Sequence, residues 1–239
     1  MKILITGGAS GLGLAITKKL AQDQSNVIYF TYNSSEGNAR ALMQEFSNTK
    51  SFKVDFNSLD SIEAFLNELV NLGPEVLINN AITGYTPNHF HKINGSVFES
   101  SFRANVYPVI RITQKFISEC RKRKFGKIIT ILSSAIINKP PIGWSEYVAN
   151  KAYLYSMAKS WATENAAFGI TSNCISPSFM QTNLTSQTDS RLIESMLSDN
   201  PNKSLLKEEE VAEAVSFLVE ATAHINGSNM IINAAKDLI

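Results

Sequence analysis

Apolar and polar positions along the chain switch repeatedly between two periods. "KILIT" (2–6) is a short β-rich apolar run, and "GLGLAITKKLAQD" after it has helical spacing. "NVIYFTY" (26–32) reads as a strand and 36–46 as a helix. "SFKVDF" (51–56) reads as a strand, followed by "SLDSIEAFLNELVNLG", a helix that opens on a Ser cap and ends at Gly73. "EVLINNA" (75–81) predicts a fourth strand, 97–124 one long helix, and "GKIITILSS" (126–134) a fifth strand. Ser145 is placed to cap a helix running to about 168. "ITSNCIS" (170–176), the amphipathic 207–221 and "NMIIN" (229–233) predict strand, helix and strand.

Strands separated by helices of ten or more residues imply βαβ units around a buried parallel sheet. The expected fold is α/β: a doubly wound, Rossmann-like parallel sheet of about seven strands with helices on both faces. Right-handed crossovers place its ligand crevice at the carboxyl ends of the strands. No linker or repeat divides the chain, so 1–239 reads as a single dinucleotide-binding and catalytic domain. The least regular segments, 83–97 and 183–203, are expected as loops over the cleft.

Charge narrows the function. The chain has 239 residues, with 22 Lys and Arg against 21 Asp and Glu, a formal charge of +1. No broad field draws it to nucleic acid or to a membrane surface. The basic run Arg121, Lys122, Arg123, Lys124 precedes a helix-ending glycine and suits the negative end of a helix dipole. Cys120 and Cys174 lack metal-ligand spacing and are expected as free buried thiols. His89 and His91 flank Phe90 in one loop, too few ligands for a metal, so no metal site is expected. No apolar leader or membrane-length segment is visible, and a cytoplasmic location is expected.

Two features suggest chemistry. "ITGGASGLGLA" joins the first strand to the first helix. It lacks the Gly-Lys-Ser/Thr ending of a P-loop, and Ile16 stands where G-x-G-x-x-G needs glycine. T-G-x-x-x-G-x-G fits, through Thr6, Gly7, Gly11 and Gly13. Such glycines let backbone N–H groups approach a pyrophosphate at a helix N-terminus. The second feature is "EYVANKAYLY" (146–155), which with Lys159 offers two Tyr-x-x-x-Lys pairs, Tyr147/Lys151 and Tyr155/Lys159. Both satisfy one-face helical geometry.

The glycine loop, "NNA" at 79–81, Ser134, "YVANK" at 147–151 and the Pro177 to Thr182 segment occur in one order. Together they resemble the single-domain short-chain dehydrogenases/reductases, over nearly the whole chain. "KIITILSS" and "ENAAFGITSNCISP" are particularly similar to β-ketoacyl carrier-protein reductases. The resemblance singles out Tyr147, because its 13-residue interval from Ser134 matches the family and the 21 residues to Tyr155 do not. Tyr155 and Lys159 are then packing or interface residues. The resemblance implies Tyr147 as general acid/base. Lys151 would hold the nicotinamide ribose and lower the Tyr147 pKa. Ser134 would bind the developing oxyanion, and Asn105 would help hold a water that links lysine to solvent. Ser133 is expected to face away, by strand alternation, if the strand reaches that far.

For the cofactor, the resemblance implies contacts from Gly7, Ser10, Gly11, Leu12 and Gly13, and from Thr31 and Asn33 after the second strand. Asp55 and Phe56 would meet the adenine, with capping as the structural alternative for Asp55. Asn80 and Ala81 would line the adenine ribose, and Pro177, Met180 and Thr182 the nicotinamide, with Tyr147 and Lys151 beside it. No carboxylate occurs after the second strand until Glu36, which favours NADP(H) over NAD(H). Three departures from the family pattern stand out: Ile82 for the glycine of "NNAG", Ser178 after Pro177, and Asn233-Ala234-Ala235 for Asp-Gly-Gly.

The implied activity is reduction of a ketone, such as a 3-oxoacyl thioester, to a secondary alcohol, or the reverse. Trp144, Phe90 and Phe179 are candidates for an apolar pocket or for core. A homotetramer or homodimer is implied. A catalytically silent dinucleotide-binding regulatory or scaffold protein is the alternative, as is an enzyme of the same fold that dehydrates or isomerises.

Overall fold

The computed structural model describes residues 1–84, 87–137, 139–180, 193, 194, 197, 198 and 200–236. Its centre is a seven-stranded sheet: β1 (Lys2–Ile5), β2 (Val27–Tyr32), β3 (Thr49–Lys53), β4 (Val76–Asn79), β5 (Gly126–Ile131), β6 (Ile170–Pro177) and β7 (Asn229–Ile232). The spatial order is β3-β2-β1-β4-β5-β6-β7, with every pair parallel. The order reverses between β1 and β4, the switch point at which such sheets open a crevice.

The helices are α1 (Gly11–Ala21), α2 (Glu36–Glu45), α3 (Leu59–Leu72), α4 (Gly95–Asn105), α5 (Tyr107–Arg123), α6 (Ser145–Asn165) and α7 (Glu208–Glu220). Strand alternation divides the core in two. Leu4, Leu77 and Ile128 meet α3, α5 and α6 on one face. Ile3, Ile5, Ile78 and Ile129 meet α1, α2 and α7 on the other. Each face buries enough branched apolar surface to dominate the folding free energy.

Local signals explain most boundaries. Ser58 caps α3 by accepting from the Ser61 N–H, and Gly73 ends it in the left-handed region at φ 57°. The expected helix over 97–124 is instead two helices, broken at Val106, whose φ is −113°. Pro108 has no N–H for the preceding turn and its ring crowds that turn, so one helix stops and another starts. Asn105 therefore ends α4. The expected Ser145 cap is also corrected. Trp144 is the non-helical capping residue, and Ser145 is already inside α6 with its hydroxyl buried and unpartnered.

The basic run is absorbed by the fold. Arg121 donates to Asn165 Oδ1 at 2.8 Å and lies over the Phe168 ring. Lys122 pairs with Glu119 at 2.8 Å, Arg123 donates to the carbonyls of Phe125 and Pro74, and Lys124 caps α5. Cys120 and Cys174 are free and buried, and burial pushes their thiols up to about 11 and about 12. Among the described residues no helix is long and apolar enough to cross a membrane, and no metal-binding cluster of His, Cys, Asp or Glu occurs.

The turn after β7 carries strain. Ala234 and Ala235 sit at φ 54° and 60°, where a Cβ is unfavourable. These are two of the positions where glycine was expected from the family pattern. Ala234→Gly and Ala235→Gly are each expected to stabilise the fold by about 0.5–1 kcal/mol, strain relief exceeding the added chain entropy. Urea denaturation midpoints check this; a lower midpoint for both variants would contradict it.

Candidate active site

The first turn of the chain is built to let a ligand approach. Gly7 adopts φ +67°, and its N–H donates to Thr31 Oγ1 at 3.0 Å. A Cβ on Gly13 would overlap the Gly7 carbonyl and come within 2.6 Å of Asn80 Nδ2. Thr6 Oγ1 accepts from the Asn80 and Ala81 N–H groups at 3.0 and 3.1 Å, tying β1 to the segment after β4. Ser10 precedes α1 without a side-chain cap bond, and the first turn of α1 has no acidic residue. The first-turn N–H groups and the positive helix end are thus available to an anion.

This loop forms one wall of a cleft of about 1150 Å³ along the carboxyl ends of the strands. Gly7, Ser10, Gly11, Leu12 and Gly13 line it. Thr31, Asn33, Phe56, Asn80 and Ala81 continue the wall, and Pro177 and Met180 close the far end. Asp55 is not in the lining, although Val54 and Phe56 on either side of it are. Its Oδ1 accepts from the Asn57 N–H at 2.9 Å and from Asn57 Nδ2 at 3.2 Å, the turn-capping arrangement. Thr182, and 183–192, 195, 196 and 199 of the expected second loop, lie outside the described residues; Asn200 reaches the cleft. In the first loop Thr83 lines the cleft, and the Asn88 N–H donates to Gly143 O at 3.0 Å. Trp144 and Phe179 line the cleft, whereas Phe90 is exposed and stacks edge-on with Phe98.

Of the two Tyr-x-x-x-Lys pairs, only Tyr147 and Lys151 reach the cleft. Tyr155 packs against the core, with the Lys159 ammonium 4.6 Å from its ring centre. Tyr147 stands edge-on to Trp144 at 5.5 Å between ring centres. Ser133, expected to face away if the strand reached that far, is placed to hydrogen-bond the Tyr147 hydroxyl. β5 stops at Ile131, so that condition is not met; Ser133 keeps an extended backbone, φ −161° and ψ 145°, as the cap of the turn that follows. Ser134 begins a short 3-10 turn, Ser134–Ile136, and also lines the cleft.

Lys151 is buried, and its Nζ donates to the Ile131 carbonyl at 2.7 Å. Nζ lies 5.9 Å from the centre of the Tyr147 ring. Burial pushes the ammonium pKa down to about 8. Burial also raises the Tyr147 phenol above its ordinary 10.0, and the Ser133 bond partly offsets this. Lys151 was expected to lower that value. Here burial sets the direction, with the ammonium bonded to the Ile131 carbonyl, and the phenol keeps its proton at neutral pH. Asn105 is not in the main cleft; it lines a small second cavity with Glu146, Tyr147, Asn150 and Lys151. Glu146 and Asn150 carry no signal in sequence beyond their place beside Tyr147 and Lys151.

A family model described as short chain dehydrogenase matches residues 1–192. The 3-oxoacyl-[acyl-carrier-protein] reductase FabG of Buchnera aphidicola is 32% identical over 98% of this chain and 96% of its own. A short-chain dehydrogenase from Burkholderia cenocepacia, solved in complex with NADP, has a TM-score of 0.87 at 23% identity, covering 99% of this chain and 97% of that one. A 3-ketoacyl-(acyl-carrier-protein) reductase from Brucella melitensis, solved with NADH, has a TM-score of 0.90 at 22% identity, covering 99% and 98%.

Proposed function

The chain belongs to the short-chain dehydrogenase family of NAD(P)-binding oxidoreductases, and from that premise we propose that it reduces a ketone to a secondary alcohol, with a 3-oxoacyl thioester as the favoured substrate class. The observation that carries the reading is the cleft wall itself, where Tyr147 and the buried Lys151 stand with Nζ 5.9 Å from the ring centre, beside Ser133 and Ser134. The unit that binds and reacts is the whole of 1–239.

A dinucleotide fits the cleft. The glycine loop leaves room for a pyrophosphate at the α1 N-terminus, as the Gly13 approach indicates. When bound, the nicotinamide would supply or accept a hydride. Every other part of the reaction falls to side chains. Tyr147 gives its proton to the carbonyl oxygen of the substrate and takes it back in the reverse direction. Ser133 donates toward the oxygen on which negative charge develops. Lys151 holds the cofactor ribose, and its positive charge favours the phenolate once the proton has left. Trp144 and Phe179 offer apolar walls to the substrate. Asn105 acts at one remove, through the small cavity behind Tyr147 and Lys151.

NADP(H) is the favoured cofactor. Tyr32, Asn33, Ser34 and Ser35 line the cleft after β2, and among the described residues its wall holds Lys139, Lys151 and Lys236 but no Asp or Glu. A carboxylate would repel a 2′-phosphate. Asp55 is the least supported adenine contact, given its bonds to Asn57. A homotetramer or homodimer is proposed for the assembly.

The test is turnover: purified protein with NADPH or NADH against a panel of ketones that includes acetoacetyl and longer 3-oxoacyl thioesters. Carbonyl-dependent oxidation, faster with NADPH, is expected. Tight dinucleotide binding without turnover on any panel member would favour the silent regulatory protein. The role of Ser133 separates from that of Ser134. Ser133→Ala is expected to lower kcat about 10²-fold and Ser134→Ala less than about tenfold, the scale of one lost oxyanion donor. The reverse order would reassign the oxyanion contact to Ser134.

A further inference from the structure

A directed chain of hydrogen bonds leaves the cleft wall and ends on a carboxylate that the proposed mechanism does not use. Thr83 lines the cleft beside Ala81 and Ile82. Its N–H and its hydroxyl both donate to Asn105 Oδ1, at 2.7 and 3.0 Å. Asn105 Nδ2 donates to Ser101 Oγ at 3.3 Å, and Ser101 Oγ donates to Glu146 Oε1. Asn150 Nδ2 donates to the same two oxygens, at 2.8 and 3.1 Å. Every donor along the chain faces one way, so its far end must be an acceptor. An ionised carboxylate is the strongest acceptor for that position.

Glu146 is only 8% exposed. It forms no ion pair among the described residues, and burial raises its pKa. A carboxylate buried without a cation is costly, and residues placed that way cluster at functional sites. Its position matters because Ile82 stands where the family pattern has glycine. A branched residue there makes the path of the chain past the cleft depend on what anchors its neighbour, Thr83.

We propose that Glu146 is a positioning residue for dinucleotide binding, holding Ala81, Ile82 and Thr83 against the cleft through Ser101 and Asn105. The proposal rests on the reading of the cleft as a dinucleotide site. Glu146 also joins α4 to the start of α6, so the same carboxylate braces the helix that carries Tyr147.

The test compares the Kd for NADPH and NADH, by nucleotide fluorescence, in wild type, Glu146→Ala, Ser101→Ala, the double variant and Glu146→Gln, with Tm recorded for each. Glu146→Ala and Ser101→Ala are each expected to weaken binding about tenfold, and the double variant no further, because both cut one chain. Glu146→Gln restores most of the affinity at neutral pH, since its amide oxygen still accepts. The carbonyl oxygen of a protonated carboxyl accepts as the amide oxygen of the Gln variant does, so wild type and Glu146→Gln should keep similar affinity as pH falls and that carboxyl takes up its proton, above the ordinary glutamate value of 4.5. Unchanged Kd in both single variants with only a lower Tm, or additive losses in the double, overturns the proposal. Should Glu146→Ala not fold, Ser101→Ala and Glu146→Gln decide it on the same readouts. A wild type that binds neither dinucleotide defeats the reading of the cleft, and the proposal with it; a wild type that binds while every variant binds equally defeats the proposal alone.

Discussion

Tyr147→Phe is expected to lower ketone-dependent oxidation of reduced dinucleotide about 10³-fold, within the range for a lost general acid. The substitution removes one oxygen and leaves the ring against Trp144, so packing survives. It also removes the hydroxyl that Ser133 is placed to hydrogen-bond. Dinucleotide Kd should stay within about threefold and Tm within a few degrees, since neither the glycine loop nor the core is touched. The loss should fall on kcat rather than KM, because the proton moves only in the transition state. Tyr155→Phe, whose ring packs away from the cleft, is the control and should retain full rate. Full rate in Tyr147→Phe, or loss in Tyr155→Phe instead, would end the assignment.

The fold was legible because buried parallel strands write themselves as short apolar runs. "KILIT", "EVLINNA" and "GKIITILSS" match β1, β4 and β5 within a residue at their starts, and the last two run past the strand ends by two and three residues. Errors gathered where local sequence is silent about direction. Over 97–124 Pro108 is the readable signal, since a proline inside a helical pattern ends or kinks the helix before it, but the apolar spacing on either side reads as continuous across the break at Val106. Asn105 ends the first of the two helices, and its side chain accepts from Thr83. Ser133 and Ser134 are hard to separate in sequence for a related reason. A count of residues back from Tyr147 assumes a fixed turn, and the 3-10 turn after β5 sets which hydroxyl meets the phenol. The Glu146, Ser101 and Asn150 cluster was invisible because its members come from two helices 45 residues apart in sequence. A glutamate in the first turn of a helix ordinarily reads as a solvated dipole partner. Only burial distinguishes this one.

Lys151 shows the conflict between stability and function most sharply. Its ammonium is buried, with the Ile131 carbonyl 2.7 Å away as its hydrogen-bond acceptor. The folded value of about 8 lies below the ordinary 10.5. Below pH 8 the group is charged in both folded and unfolded chains, and the full cost of burying it, on the order of 3 kcal/mol from that gap, is present. Between about 8 and 10.5 the unfolded chain holds more protons, so stability contributed by this site rises with pH. Lys151→Met keeps the length of the stem and removes the charge. It is expected to stabilise the fold at pH 7 by about 1–3 kcal/mol, with the advantage over wild type shrinking as pH rises past 8. Turnover should fall about 10³-fold in the same variant, because the phenolate left after proton transfer loses its neighbouring cation. In wild type the rate of reduction should decline as pH rises through about 8, where the ammonium is lost, while the phenol itself is still protonated. Paired denaturation and rate profiles from pH 6 to 11 test both halves. A variant that is less stable than wild type at pH 7, or a rate profile flat through the fall expected for the ammonium, would mean that the charge on Lys151 is neither the cost nor the catalytic aid argued for it.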